Sequence, residues 1–307
     1  YHPNTTDLRM SNETKSAVKD ANFPLKRKVL LVDTSSVAVT LFYAMGGGKY
    51  LDNDNVGSSE EVQNFLISVV GETASNIITR VSMDGFTDVR LALESPPWAP
   101  VWRYAEYEDY KHATTNVDKP KVARALQQPM VVVANELALP TVFAPGFEAD
   151  DVIATMVHKM QPMLDTSEIH IWSADKDLHQ LVTHPNIYII GKGGTRLTME
   201  TIEAEWGAPA QAIPLIKALS GDKSDNIPGV RGIGPKTAAK MITAKPYRKQ
   251  TPFWIDIDNL TGEKKSDVIR VLPRIRRDER LCALRTDATL LPGIDYDRRP
   301  NGKDQEK

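Results

Sequence analysis

Acids close the apolar runs of this chain. Val29-Leu-Leu-Val leads into Asp33, Val89-Arg-Leu-Ala-Leu into Glu94, and Ile169-His-Ile-Trp-Ser-Ala into Asp175 and Asp177. Thr141-Val-Phe is followed by Glu148, Asp150 and Asp151, which open a segment of helical spacing. Ligands of a parallel sheet gather beyond the carboxyl ends of its strands, so these positions are the ones to weigh. Each acid alone has a plain alternative: a strand-end aspartate forms turns, and Asp150 and Asp151 complement a helix dipole from its first turn. Together they differ, because carboxylates gathered at one sheet edge raise one another's pKa unless cations neutralise them. Bound divalent metal is the simplest account, and oxygen-only ligands favour Mg²⁺ or Mn²⁺. Zinc fits poorly: Cys282 is the single cysteine, and of the six histidines His179 is expected on an exposed face and His184 in a loop. Asp222 and Asp225, in Gly-Asp-Lys-Ser-Asp-Asn, lack the spacing and closing glutamate of an EF-hand and could add a second pair to the same pool.

Two further segments carry chemistry. Gly229-Val-Arg-Gly-Ile-Gly-Pro-Lys-Thr-Ala-Ala-Lys is not a Walker A loop, since Pro235 separates Gly234 from Lys236 and no apolar strand precedes it. It fits a helix-hairpin-helix, with glycines for the tight turn, Pro235 at the first helical position and free N–H groups facing a phosphate. Lys236 and Lys240, four apart, share a helix face and would continue the contact along a strand of DNA. The bland alternative is a glycine-rich turn with two solvated lysines. Trp98, Trp102, Tyr104, Tyr107 and Tyr110 are interleaved with Arg103 and Lys111, and Lys119, Lys121 and Arg124 follow. Aromatic and basic residues so mixed either stack unpaired bases or pack a helix on the sheet.

The elements that must position these residues follow from the apolar pattern. Val29–Val32, Val89–Leu93, Thr141–Phe143 and Ile169–Trp172 read as strands, and Val131–Ala134 has the length of another. Segments such as Glu60–Met83 and Asp150–Met160 read as helices, and the alternation predicts an α/β fold with a parallel sheet. From about Ala212 the strand signal stops and helical segments take over at Ile213–Leu219, Pro235–Thr243 and Glu263–Leu284. The expected organisation is a flexible tail over 1–28, a catalytic α/β domain over 29–211, a helical DNA-binding subdomain over 212–292 and a frayed tail over 293–307. Gly46–Gly48 reads as a mobile loop. The chain begins at Tyr1, so an N-terminal piece can be missing, and its first 28 residues lack the apolar core of a signal peptide. At 307 residues, 41% hydrophobic and 25% charged, the composition excludes a disordered or collagen-like chain. No apolar run approaches the roughly 20 residues of a membrane span. The lone cysteine favours a reducing compartment, hence the cytoplasm. Net charge is −2, so the distribution of charge matters more than its sum.

Asp33 after a strand, Glu94, Phe-Glu-Ala-Asp-Asp at 147–151, Ser-Ala-Asp-Lys-Asp at 173–177 and the run from Gly221 to Ala238 resemble, in order, the 5′ nuclease or flap endonuclease superfamily. The resemblance covers about Val29 to Asp287 and is nearer to the stand-alone enzymes of phages and bacteria. It implies a PIN-like sheet, a helical arch over about 95–125, and a two-metal phosphodiesterase, a monomer in replication or repair, acting on branched or 5′-ended DNA. The metal set it implies is Asp33, Glu94, Glu148, Asp150, Asp151, Asp175, Asp177, Asp222 and Asp225, with two Mg²⁺ or Mn²⁺. It also implies a potassium ion on the backbone carbonyls of Leu219, Ser220, Pro228, Val230 and Ile233.

In that scheme Lys111 offsets charge on the scissile phosphate and Tyr110 stacks on the terminal base. Gly229, Gly232, Gly234, Lys236, Thr237, Lys240 and Arg103 contact DNA. The chain departs from the usual pattern at Thr34 in place of glycine, at Thr40 and Thr114 in place of basic residues, and at Glu94 in place of aspartate, which bears on 5′-phosphate affinity and rate more than on reaction type. Two rival readings stand beside it: a catalytically weak DNA-binding protein that uses the hairpin alone, and a PIN-type RNA nuclease.

Overall fold

A computed structural model of the chain describes residues 27–51, 59–111, 118–244, 253–257, 260–293 and 296. Among the described residues, strand β1 (Arg27–Asp33) lies at the centre of a seven-stranded sheet. Its apolar run is buried on both faces: Val29 and Leu31 pack with Val152 and Ile153, while Leu30 and Val32 pack with Ile77 and Leu91. A continuous rather than alternating run is what a strand covered on both sides requires. Each such side chain contributes about 1.5–3 kcal/mol on leaving water.

Helix α1 (Thr34–Ala44) starts directly after β1, and α2 (Glu60–Asp84) is capped by the Ser59 hydroxyl and closed by Gly85 at φ 68°. Strand β2 (Asp88–Ala92) pairs in parallel with β1, and β3 (Thr141–Phe143) with β2. Between them lie the short α3 (Trp102–Glu106) and the long α4 (Asp118–Glu136). After α5 (Ala149–Met160) the chain crosses to the other side of β1, where β4 (Ser167–Trp172) and β5 (Ile187–Ile190) pair in parallel. The spatial order β5-β4-β1-β2-β3 therefore reverses at β1, and a crevice opens at the strand ends bearing Asp33 and Asp175.

The sheet is mixed rather than all parallel. Strand β6 (Arg196–Leu197) and, at the far end of the chain, β9 (Leu291–Pro292) close its two edges antiparallel. Helices α6 (Met199–Trp206) and α7 (Ile213–Ser220) lead into the second core, where α8 (Pro235–Met241) and α9 (Gly262–Cys282) pack around Leu215, Leu219, Ile233, Val268 and Ile275. Strands β7 (Ile242–Ala244) and β8 (Phe253–Ile255) pair within this part, so the strand signal does not stop at Ala212.

Other expectations are corrected. Val131–Ala134 belongs to α4, where Val122, Leu126 and Met130 recur every four residues and face α1 and α2; tertiary burial of that stripe outweighs the β-branched run and carries the helix past Pro129. Gly46–Gly48 leads into a 3₁₀ turn (Gly47–Tyr50), with Gly47 buried against Phe42. His179 is buried, and its Nδ1 accepts from Trp206 Nε1 at 3.1 Å. Tyr296, in the expected C-terminal tail, is buried edge-on to Phe143 and bonded to Gln127. Residues 1–26 and the tip of the expected arch, Thr114 included, lie outside the described residues; Arg27 and Lys28 already belong to β1. Among the described residues no helix is long and apolar enough to cross a membrane.

Candidate active site

The carboxyl ends of β1, β2 and β4 bring the acids together through their own local bonding. Asp33 caps α1, accepting from Ser36 N at 3.0 Å and from Ser173 Oγ at 2.7 Å. Ser173 in turn accepts from Asp175 N, and Asp175 caps the 3₁₀ turn Lys176–Leu181 by accepting from Asp177 N at 2.9 Å. Glu94 accepts from Ala149 N at 3.0 Å, which ties the end of β2 to the start of α5. These bonds anchor Asp33, Glu94 and Asp175 beyond the carboxyl ends of their strands.

The protonation energetics show how much negative charge is compressed here. Burial, then the charge of Glu94, pushes Asp33 up to about 6. Burial likewise raises Glu94, Asp150 and Asp175, and pushes Asp177 and Asp225 up to about 6. Glu148 goes the other way: burial alone would raise it, but Lys111 and Arg103 hold it down at about 2. Lys111 Nζ lies 2.5 Å from Glu148 Oε1 and 3.9 Å from Asp225 Oδ1.

The loop after α7 supplies the second half of the pool. Asp222 and Ile227 exchange both backbone hydrogen bonds, and this bridge folds Lys-Ser-Asp-Asn into a tight loop with Asn226 at φ 58°. Ligand oxygens of Asp177, Asp222 and Asp225 all lie within 4.8 Å of one another. Lys217, buried on α7, pairs with Asp177 and, at 2.5 Å, with Asp222. Sequence reasoning missed Lys217. Its only signal is a lysine on the apolar face of Ile213–Leu219, five residues before the aspartate, where a buried cation needs a buried anion.

Three members of the expected set play other parts. Asp151 is fully buried, and both its oxygens are filled: Oδ2 accepts from Trp102 Nε1 at 3.0 Å and Arg103 at 2.8 Å, Oδ1 from Arg103 at 2.9 Å and Arg285 N at 2.8 Å. It has no lone pair left for a metal. Arg103, expected on DNA, is 2% exposed and spends its donors on Glu148, Asp151 and the carbonyl of Leu281. Tyr110, expected to stack on a base, is 2% exposed and donates to Glu148 Oε2 at 2.9 Å.

The rest of the aromatic run packs as well. Trp98 donates to Tyr296 O and Tyr107 to Asn226 O, which leaves Tyr104 as the one exposed ring of the five. Asn226 Nδ2 donates to Asp109 O at 2.9 Å. The base of the expected arch is thereby fastened to the Asp222–Asn226 loop. Thr34, where glycine is usual, is buried with its hydroxyl unpartnered among the described residues.

The hairpin Gly229–Gly234 lies against the end of α7. Gly229, at φ 65°, approaches so closely that a Cβ there would lie 2.4 Å from Gly221 N, so only glycine fits. Val230 N donates to Leu219 O and Ile233 N to Val230 O. Ser220 and Pro228 line the same close approach. On α8, Lys236 and Lys240 are exposed and Thr237 is half-buried.

The acid cluster fits divalent metal on its own chemistry: the donors are all carboxylates, burial raises the pKa of Asp177 and Asp225, and two lysines supply the balancing charge.

Residues 28–207 match the family described as 5′-3′ exonuclease, N-terminal resolvase-like domain, and residues 208–298 the family described as 5′-3′ exonuclease, C-terminal SAM fold. The thermostable DNA polymerase I of Thermus thermophilus is 29% identical over 282 residues, 91% of this chain and 31% of the polymerase. The DNA polymerase I of Bacillus caldotenax is 29% identical over 289 residues, 92% and 31% of the two chains. The chain thus spans about a third of the length of these curated relatives. Among solved structures, T5 5′-exonuclease with bound divalent metal ions (zinc) superposes with a TM-score of 0.63 at 17% identity over 88% of this chain and 92% of that one. A T5 D15 flap endonuclease complex with DNA and metal ions gives 0.59 at 18% identity over 89% and 94%. At these identities the two structures speak for the fold.

Proposed function

The chain belongs to the 5′-3′ exonuclease family, and from that premise we propose that it hydrolyses DNA phosphodiester bonds as a metal-dependent 5′-3′ exonuclease and flap endonuclease. The observation that carries the proposal is the convergence of Asp33, Glu94, Glu148, Asp150 and Asp175 with the Asp177–Asp222–Asp225 cluster at one crevice, balanced by Lys111 and Lys217. These carboxylates would hold two Mg²⁺ or Mn²⁺. When bound, such ions acidify water and offset charge on the phosphate.

The chain's own residues supply the rest. Lys111, one-third exposed, is near enough to the pool to transfer its charge from Glu148 to a phosphate entering the crevice. Its contribution is greatest where negative charge grows in the transition state. Tyr110 and Arg103 keep Glu148 ionised and oriented while that exchange takes place. Lys236, Thr237 and Lys240, with the backbone of Gly229, Gly232 and Gly234, would grip the phosphates of the duplex away from the crevice. The carbonyls of Leu219, Ser220, Pro228, Val230 and Ile233 would take a potassium ion. The substrate is branched or 5′-ended DNA, acted on by a cytoplasmic monomer in replication or repair.

The test compares 5′-labelled flap, nicked and single-stranded DNA with Mg²⁺, with Mn²⁺ and with EDTA. Cleavage of flap and nicked DNA that EDTA stops is expected. Metal-independent cleavage, or cleavage of RNA alone, would overturn the reading.

A further inference from the structure

The loop that carries Asp222 and Asp225 meets the turn that carries Lys111, and hydrogen bonds tie the two together. Asn226 Nδ2 donates to Asp109 O at 2.9 Å, Tyr107 Oη donates to Asn226 O at 3.2 Å, and Lys111 N donates to Asp225 O at 3.4 Å. Behind these bonds Ile227 packs with Leu281 and Cys282 and with Trp102 and Tyr107, while Arg277 lies 4.2 Å over the Tyr107 ring. Asn226 and Asp109 are 117 residues apart in the chain.

Both ends of the contact adopt the left-handed backbone region, Asn226 at φ 58° and Lys111 at φ 56°. Asparagine tolerates that conformation because its short amide bonds locally, whereas lysine has no such compensation. Lys111 therefore depends on its surroundings to stay in place. Tyr110 N donates to Tyr107 O at 2.9 Å and closes the turn before it, and Asn226 takes the carbonyl of Asp109 inside that turn. The ammonium of Lys111 then lies 2.5 Å from Glu148 Oε1 and 3.9 Å from Asp225 Oδ1. Asn226 is half-buried, uncharged and no part of the acid pool.

We propose that Asn226 is a positioning residue for Lys111: its side-chain amide fastens the Tyr107–Lys111 turn to the loop of Asp222 and Asp225, and so fixes the cation relative to the acids. The inference rests on the reading of Lys111 as the charge that meets the scissile phosphate, and it names what sets that charge in place. A group acting on a transition state must be held to within about 0.5 Å. The flexible four-carbon stem of a lysine does not supply that precision, so its backbone must. Position 226 thus needs two properties at once, a left-handed backbone and a side-chain donor. Glycine has only the first, and aspartate would set an acceptor against the Asp109 carbonyl.

The experiment is a double-mutant cycle on single-turnover cleavage of a 5′ flap in Mg²⁺. Asn226→Gly keeps the backbone conformation and removes the donor, and it should slow cleavage about tenfold by misplacing the reacting groups. Flap binding in Ca²⁺ should be unchanged. In a Lys111→Ala background the same substitution should have almost no further effect, because the residue it positions is gone. Asn226→Asp should be at least as slow as Asn226→Gly, and Tyr107→Phe, which removes the second tie, should slow cleavage less. The second readout needs neither metal nor substrate. Amide hydrogen exchange over residues 107–111 of the metal-free chain should quicken about fivefold in Asn226→Gly, as the loss of one hydrogen bond allows, with β1 as the internal reference.

A wild-type rate in Asn226→Gly overturns the proposal. An equal loss in both backgrounds does so too, since Asn226 would then act through Asp225 rather than Lys111. Unchanged exchange over residues 107–111 also rejects it. Each of these outcomes, with Mg²⁺-dependent flap cleavage by the wild type intact, rejects the positioning role alone. A wild type that does not cut flap DNA rejects the function and the role together.

Discussion

The acid crevice and the hairpin face of α8 and α9 handle charge in opposite ways. In the crevice, buried carboxylates face two lysines inside a network of ion pairs and hydrogen bonds. On the hairpin face, Arg231, Lys236 and Lys240 stand in solvent. Charge in the first region is set by burial and pairing, so it responds strongly to single substitutions and to protons. Charge in the second is screened by salt over about 8 Å at physiological ionic strength and responds to single substitutions only slightly.

The largest expected effect is on chemistry. Asp175→Ala or Asp177→Ala should reduce Mg²⁺-dependent cleavage by at least roughly 10³-fold, about 4 kcal/mol in the barrier, while duplex binding in Ca²⁺ survives. Wild-type turnover in the double variant would remove both from the site. Next comes stability: Arg103→Met leaves Asp151 buried without its bidentate partner and should cost about 3–5 kcal/mol, read as a lower denaturation midpoint. A companion Asp151→Leu should recover much of that loss, since a buried pair replaced on both sides is often tolerated. If the single variant is as stable as the wild type, the network contributes nothing.

Lys111→Ala follows, and it should cut the single-turnover rate about 10²-fold with binding little changed, because its charge matters most in the transition state. Equal losses in rate and affinity would make Lys111 a grip residue.

The pH response separates the regions further. Asp33, Asp177 and Asp225, with pKa values near 6 in the fold and about 3.9 unfolded, bind protons more tightly when folded. Metal-free stability should therefore fall as pH rises from about 4 to 6. Glu148, held at about 2, contributes in the opposite sense, and its stabilisation is lost as pH falls below about 4.5. Added Mg²⁺ should raise the melting temperature more at pH 7 than at pH 5, because the carboxylates that take it are ionised only at the higher pH. An equal shift at both would mean these acids do not bind metal. The smallest effect belongs to the exposed lysines. Lys236→Ala with Lys240→Ala should flatten the salt slope of duplex binding by roughly 1.8 and leave stability unchanged. An unaltered slope would make the hairpin a structural turn.

Local order was legible where a single stretch carries its own reason. The buried runs of β1, β2, β3 and β4, the helices from Glu60, Ala149 and Gly262, and the glycine turn before Pro235 follow from apolar spacing, caps and backbone freedom, all written within a few residues of one another. The run of acids after those strands is visible in the same way, because strand ends and ligand positions coincide in a parallel sheet.

What an acid or a base does once it arrives was not legible, since that depends on partners distant in the chain. Asp150 and Asp151 are neighbours in one helical turn. Yet Asp151 faces inward to Arg103 and Arg285, 48 and 134 residues away, while Asp150 stays at the crevice edge. Tyr110 and Arg103 sit among aromatic and basic residues that read as a nucleic-acid surface, and the fold turns them inward to hold Glu148. Lys217 gave almost no signal, because a lysine on an apolar face is explained only by the two aspartates the tertiary structure sets against it. Sequence by itself determined which segments form strands, helices and turns and where the acids cluster. Tertiary structure alone decided which of those charges are buried and paired and which remain free for a ligand, because burial and Coulomb attraction act across space and take no account of separation along the chain.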